Sequence, residues 1–359
     1  MTELTRRELM LAGMTLPGLL ALSTARCALA ASPQASSAAD PLSFVHPELR
    51  AAARQAQSLG QALSAMTADT LPTMRGTADA LTPPPLEAPP FERRTVPGPA
   101  GEPDVEVYII NAKPGASRPG ILHMHGGGYV AGSASASVRP LQEVASALDC
   151  SVVTVEYRLA PETTYAGSVE DNYASLLWLY QHADEVGVNP DRVAVMGESA
   201  GGGHAALLAI AARDRGEVPL AFQLLVYPML DDRTGSTREV PPQMGRITWT
   251  ATANRFGWGA FLGQEAGGAS VPSAGVPARV TSVEGLPPAF IGVGGIDLFV
   301  LESVEYARRL IEAGVPTRLL VVPGAFHGFD GLAADTEIAQ RFNAAKLDAL
   351  RGALAADSA

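Results

Sequence analysis

The stretch Arg192-Val193-Ala194-Val195-Met196-Gly197-Glu198-Ser199-Ala200-Gly201-Gly202 decides the reading of this chain. An apolar run leads into a glycine-flanked turn, and a small-residue helical stretch over 202–212 follows, with Ser199 at the apex. That is strand, sharp turn, helix. The glycines give the room such a turn needs, because its apex residue is held in a strained backbone conformation. A serine hydroxyl is a poor nucleophile unless it is exposed, oriented and given a base. The turn supplies the first two conditions, and the base must come from elsewhere in the chain.

G-x-S-x-G alone is a moderate signal in a chain with 36 glycines among 359 residues. Its context sharpens it. About seventy residues upstream, His125-Gly126-Gly127-Gly128 ends the apolar run containing Ile121 and Leu122. Acyl transfer must stabilise a negative oxygen in the tetrahedral intermediate, and fixed backbone N–H dipoles do so without reorganising. Glycines after a strand let that backbone approach a substrate closely. The expected oxyanion donors are therefore Gly126 and Gly127, joined by Ala200, the residue after the nucleophile.

Six histidines compete for the role of base. His46 precedes the sheet. His123 and His125 read as structural residues of the glycine loop. His182 reads as a surface residue and His204 as a packed one on the helix after the turn. His327 lies in Val322-Pro323-Gly324-Ala325-Phe326-His327-Gly328-Phe329, on a glycine-flanked loop just past an apolar run. That position can reach a serine at a neighbouring strand end, so His327 is the expected general base. The orienting carboxylate should fall between serine and histidine in chain order. Asp297 follows the run 289–295 and lies thirty positions before His327, room for one loop, one helix and one strand. Asp231 and Asp232 are competitors that read better as a solvated or capping pair; Asp330 is close to His327 in sequence, and Glu302 requires a different helix start.

Taken together, His125-Gly126-Gly127-Gly128-Tyr129, Tyr157-Arg158-Leu159-Ala160-Pro161-Glu162, Gly197-Glu198-Ser199-Ala200-Gly201-Gly202, Tyr227-Pro228-Met229, Asp297 and His327-Gly328-Phe329 carry a resemblance. The chain resembles bacterial esterases of the hormone-sensitive-lipase family within the α/β-hydrolase fold, over roughly residues 90–345. One departure is Leu298, where the family usually has proline after the acid. The resemblance implies hydrolysis of carboxylic esters, with short acyl chains preferred, no metal or organic cofactor, and a lid-like cap over the acyl pocket. It also implies pairing through the last strand and helix, hence a homodimer.

Apolar runs at 105–110, 120–124, 151–155, 192–196, 221–226, 288–293 and 317–322 alternate with helical stretches at 137–148, 169–184, 199–213 and 301–313. The stretch 336–354 reads as a closing helix. Such alternation predicts a mainly parallel central sheet covered by helices on both faces, with catalytic groups at the strand carboxyl ends; the resemblance implies that this sheet is that of an α/β-hydrolase fold. Two segments stand outside it: 41–80, and 236–275, where 247–262 carries Trp249, Phe256, Trp258 and Phe261 in a chain with only 6 % aromatics. They are expected to build a helical cap. The proline-rich residues 81–90 read as a stiff connector.

At the N-terminus, Thr5-Arg6-Arg7-Glu8-Leu9-Met10, a mild apolar stretch over 11–22 and Ala28-Leu29-Ala30 resemble a twin-arginine export signal with a cleavage site. The stretch is too short and interrupted to span a membrane. The organisation expected is an export signal at 1–30, an N-terminal cap segment and linker at 31–85, a first catalytic part at 86–235, a cap insertion at 236–275 and a second catalytic part at 276–359. Cleavage after Ala30 would leave Cys150 alone, without a disulfide partner. An exported, periplasmic or secreted enzyme is expected, with no stable membrane insertion of the mature chain.

Composition bounds the rest. Hydrophobic residues at 47 % and charged residues at 18 % describe a globular protein. The net charge of −11 disfavours nucleic acid and anionic lipid surfaces as partners. No Cys/His spacing suits zinc, and no phosphate-loop or dinucleotide motif occurs. The expected partner is a small-molecule ester. Lactones, amides and acetylated carbohydrates remain open for the same triad, and so does a small-molecule-binding receptor on the same fold.

Overall fold

A computed structural model describes residues 40–355. The expected export signal lies outside the described residues. Eight strands form one sheet in the order β1-β2-β4-β3-β5-β6-β7-β8. They are β1 (Phe91–Val96), β2 (Val105–Ile110), β3 (Arg118–Met124), β4 (Ser151–Glu156), β5 (Val188–Glu198), β6 (Phe222–Val226), β7 (Ala289–Gly294) and β8 (Thr317–Val322). β1 and β2 are antiparallel to their neighbours, and every pairing from β4 to β8 is parallel. The central strands read as continuous apolar runs because both faces are covered. β6 and β7 are buried at every position.

Register brings the strand carboxyl ends level. Met124 pairs with Gly197, Glu198 with Val226, and Gly294 with Val322. The loops that follow these residues therefore open on one edge of the sheet, and all the candidate site residues lie on those loops or at the helix start that follows.

The helices are α1 (Arg50–Ser64), α2 (Leu71–Leu81), α3 (Ala134–Leu148), α4 (Tyr165–Gln181), α5 (Ala183–Val186), α6 (Ala200–Arg215), α7 (Ala251–Leu262), α8 (Val300–Glu312), α9 (Phe329–Leu332) and α10 (Glu337–Ala353). α6 is buried continuously from Ala200 to Ile210 and so lacks a polar face. Its small residues let it sit close against the sheet edge: a Cβ on Gly201 would lie 2.0 Å from the Met124 carbonyl oxygen.

Outside the sheet and its covering helices, α1, α2 and α7 occupy the two segments that stood apart in the sequence. Met66 and Leu71 join Trp249, Trp258 and Phe261 in an apolar cluster that also holds Tyr129 and Ala200. Within the aromatic-rich stretch 247–262, the helix starts only at Ala251. Thr250 has extended backbone and caps it, its hydroxyl accepting from the Ala253 N–H at 3.3 Å. Residues 247–250 therefore form a non-helical strap. Likewise, the stretch expected as one helix over 169–184 is two, broken at His182.

Candidate active site

Ser199 occupies the apex between β5 and α6 with φ 58° and ψ −121°, a region costly for any residue with a Cβ. Its backbone is held on three sides. The Ser199 N–H donates to Val226 O, and Ser199 O accepts from the N–H groups of Gly203 and Met229. A Cβ on Gly197 would meet Gly201 O at 2.2 Å, so the turn closes only with glycine there.

From this apex a hydrogen-bonded chain runs outward. Ser199 Oγ lies 2.9 Å from His327 Nε2, and His327 Nδ1 lies 2.8 Å from Asp297 Oδ2. Asp297 is fully buried, and its Oδ1 accepts the Phe299 N–H at 2.9 Å. That local bond turns the chain after the acid without the family's proline, and Leu298 packs buried beside Gly245. The rings of Tyr227 and Phe299 meet the His327 imidazole edge-on, at centroid distances of 4.6 and 5.2 Å. Aromatic walls thus fix the ring plane while the carboxylate fixes its rotation.

The glycine loop lies against the same apex. A Cβ on Gly126 would sit 3.5 Å from Ser199 Cβ, so the Gly126 backbone runs directly beside the serine. Gly127 has φ +126°, and its carbonyl accepts from Val130 and Ala131. Among the described residues, the N–H groups of Gly126 and Gly127 donate to no protein acceptor. Ala200 is the first residue of α6, where N–H groups have no intrahelical partner.

The competing carboxylates are engaged elsewhere. Asp231 and Asp232 are not a solvated or capping pair: each is 1 % exposed. Asp231 pairs with Arg233 and Arg238, and Asp232 with Arg279 at 2.6 Å. The adjacent arginines compensate their burial. Glu302 accepts from the Leu230 N–H and from Thr234 Oγ1, and burial together with Asp231 pushes its carboxyl well above the usual range. Asp330 accepts from Tyr227 and Lys346.

His123 and His125 are structural, as expected. His123 bridges Thr154 Oγ1 and Glu198 Oε2, both at 2.8 Å. Burial pushes the Glu198 carboxyl up, but His123 and Lys346 together outweigh it and hold the group below its ordinary value. His125 bonds through Nδ1 to Gly126 O and stacks on Tyr157. His204 sits in a nest of Tyr129, Tyr157 and Phe261, and neither ring nitrogen has a partner among the described residues.

Burial lowers His125 to about 4 and His204 to about 3. An unfolded histidine titrates near about 6.5. Below that value the unfolded chain binds protons that the folded chain refuses. The stability these rings contribute is therefore intact above about pH 6.5 and is lost as pH falls toward their folded values. His204→Phe keeps the ring and removes the titration. Its urea midpoint is expected to fall less than that of the wild type between about pH 7 and about pH 4.5. Equal falls in the two proteins would contradict this account.

Known proteins share this fold. A family model described as alpha/beta hydrolase fold matches residues 121–331. Esterase LipI of Mycobacterium tuberculosis is 35 % identical over 256 residues, covering 71 % of this chain and 79 % of that protein. Carboxylesterase NlhH of the same organism is 34 % identical over 245 residues, covering 66 % and 74 %. The solved structure of a bacterial heroin esterase superposes with a TM-score of 0.78 at 36 % identity, covering 88 % of this chain and all of that one (100 %). With the family model matching more than half its length and named esterases aligned along it, this chain belongs to the α/β-hydrolase fold family, in its hormone-sensitive-lipase-like branch.

Proposed function

We propose that this protein is a serine carboxylesterase that hydrolyses short-chain acyl esters through an acyl-enzyme intermediate, with Ser199 as nucleophile, His327 as base and Asp297 as orienting acid. The observation that carries the reading is the continuous Ser199–His327–Asp297 hydrogen-bonded chain beside the Gly126 backbone. The Asp297 carboxylate can only accept, so it selects the tautomer with the proton on His327 Nδ1. Nε2 is then left with its lone pair toward the Ser199 hydroxyl. Ser199 attacks the ester carbonyl as Nε2 takes its proton. The N–H groups of Gly126, Gly127 and Ala200 receive the oxyanion. His327 returns the proton to the departing alcohol, and water repeats the sequence to release the acid.

Two features support a short acyl group: Ser199 is only 7 % exposed, and the Trp249 indole leans on the glycine loop at Gly128. We read α1, α2 and α7 as the cap over this site. The test is a series of p-nitrophenyl acyl esters run beside lactones, anilides and acetylated glycans. Turnover should be fastest for acetyl to butyryl groups and fall steeply with longer chains. Faster cleavage of long-chain emulsions, lactones, anilides or acetylated glycans would displace this reading.

A further inference from the structure

The loop that carries His327 has a left-handed glycine at each end. Gly324 and Gly328 have φ of +67° and +77°, the left-handed region that glycine adopts without strain. On the sheet side, Ala325 anchors it through Val322 O and the Ile296 N–H. Within the loop the Phe329 N–H donates to Phe326 O, and two further backbone anchors come from elsewhere in the chain. The His46 N–H donates to Gly324 O at 2.9 Å, and the Thr248 hydroxyl donates to the backbone carbonyl of His327 itself at 2.7 Å. Thr248 is 5 % exposed, so water competes little for that carbonyl.

Thr248 belongs to the four-residue strap before α7, and each neighbour in the strap is pinned to a different partner. The Ile247 carbonyl lies so close to α1 that a Cβ on Gly60 would be 2.1 Å from its oxygen. The indole of Trp249 covers Gly128, where a Cβ would be 2.2 Å from the ring. Its Nε1 donates to Asn254 Oδ1 at 3.1 Å. Thr250 Oγ1 shares a hydrogen bond of 2.7 Å with Ser64 Oγ of α1. The strap therefore links α1, the glycine loop and the loop of the base through consecutive residues.

We propose that Thr248 is a positioning residue: its hydrogen bond to the His327 carbonyl makes the reach of the imidazole to Ser199 depend on the seating of α1 and α7. The proposal rests on His327 acting as the base for Ser199. Tyr227, Phe299 and Asp297 hold the plane and rotation of the ring, but without the Thr248 bond the His327 backbone can shift along them and displace Nε2 from Oγ, and a displacement of about 1 Å can cost on the order of a hundredfold in rate. The substrate is held by other groups, so the loss falls on turnover and not on binding.

The test compares Thr248→Val and Thr248→Ser in the full chain. Valine keeps the shape and removes the donor, whereas serine keeps the donor. Thr248→Val is expected to lose about tenfold in kcat on p-nitrophenyl butyrate, with KM within about twofold of wild type. Reaction of Ser199 with a serine-directed aryl phosphonate should slow by the same factor, because it depends on the same proton transfer. Thr248→Ser should retain both rates. If the valine variant does not fold, Thr248→Ala is read in its place. Wild-type kcat in Thr248→Val, a pure rise in KM, or a serine variant as slow as the valine one would each overturn the proposal. A wild-type enzyme that the phosphonate fails to label would instead overturn the triad on which it rests.

Discussion

Ser199→Ala is expected to lower kcat on aryl butyrates by a factor on the order of 10⁴ to 10⁶ while leaving a folded protein. The size follows from the chemistry. Removing Oγ removes both the bond-forming atom and the proton that His327 must take, and water held near the glycine loop is a far weaker substitute. The fold survives because nothing structural depends on the hydroxyl. The Ser199 N–H and carbonyl keep their partners in Val226, Gly203 and Met229, and alanine bears the same Cβ strain at φ 58° that serine does. Thermal unfolding should shift by no more than a few degrees. Turnover within about tenfold of wild type would remove Ser199 from the mechanism.

Asp297→Asn is expected to cost about 10³- to 10⁴-fold in kcat, with KM nearly unmoved. Asparagine fits the same space, and its carbonyl oxygen can still accept the Phe299 N–H that Oδ1 now receives. Its amide nitrogen would then face His327 Nδ1. A donor at that position selects the opposite tautomer, with the proton on Nε2, and Ser199 has no base. The buried imidazolium formed during attack also loses its counter-charge. Crystallography or a thermal melt should find the variant intact, which separates the chemical effect from unfolding. A loss of less than about tenfold would move the orienting role to another carboxylate.

Much of this arrangement is legible in the sequence because the chemistry sits where apolar runs end. The runs that become β3, β5, β7 and β8 are each followed within a few residues by His125-Gly126-Gly127-Gly128, Ser199, Asp297 or His327, and parallel register places those ends on one edge. β1 escapes such a reading. Phe91-Glu92-Arg93-Arg94-Thr95-Val96 lies at the outer edge of the sheet, where one side is open and charged side chains replace an apolar run. Asp231 and Asp232 mislead for the opposite reason. Adjacent carboxylates look solvent-facing until the arginines that neutralise them, one of them Arg279 far along the chain, are brought alongside.

The strap is the least legible part of the site. A single threonine before a helix reads as a cap, and that is what Thr250 does. Nothing in the spelling of Ile247-Thr248-Trp249-Thr250 separates the residue that caps α7 from the one that reaches the His327 carbonyl. That distinction exists only after residues nearly eighty positions apart have met. Trp249 gives a partial cue, since it belongs to a concentration of aromatic residues in a chain poor in them, but its contact with Gly128 depends on the turn taken by the glycine loop.

Cys150, the cysteine among the described residues, is sealed between α3 and β4, and burial pushes its thiol up to about 12. Almost no thiolate exists there at neutral pH, so oxidants and alkylating reagents find nothing to attack in the intact molecule. Among the described residues the folded molecule accordingly presents no reactive thiol, and modification of this sulfur becomes a clock that ticks only when the sheet itself comes apart.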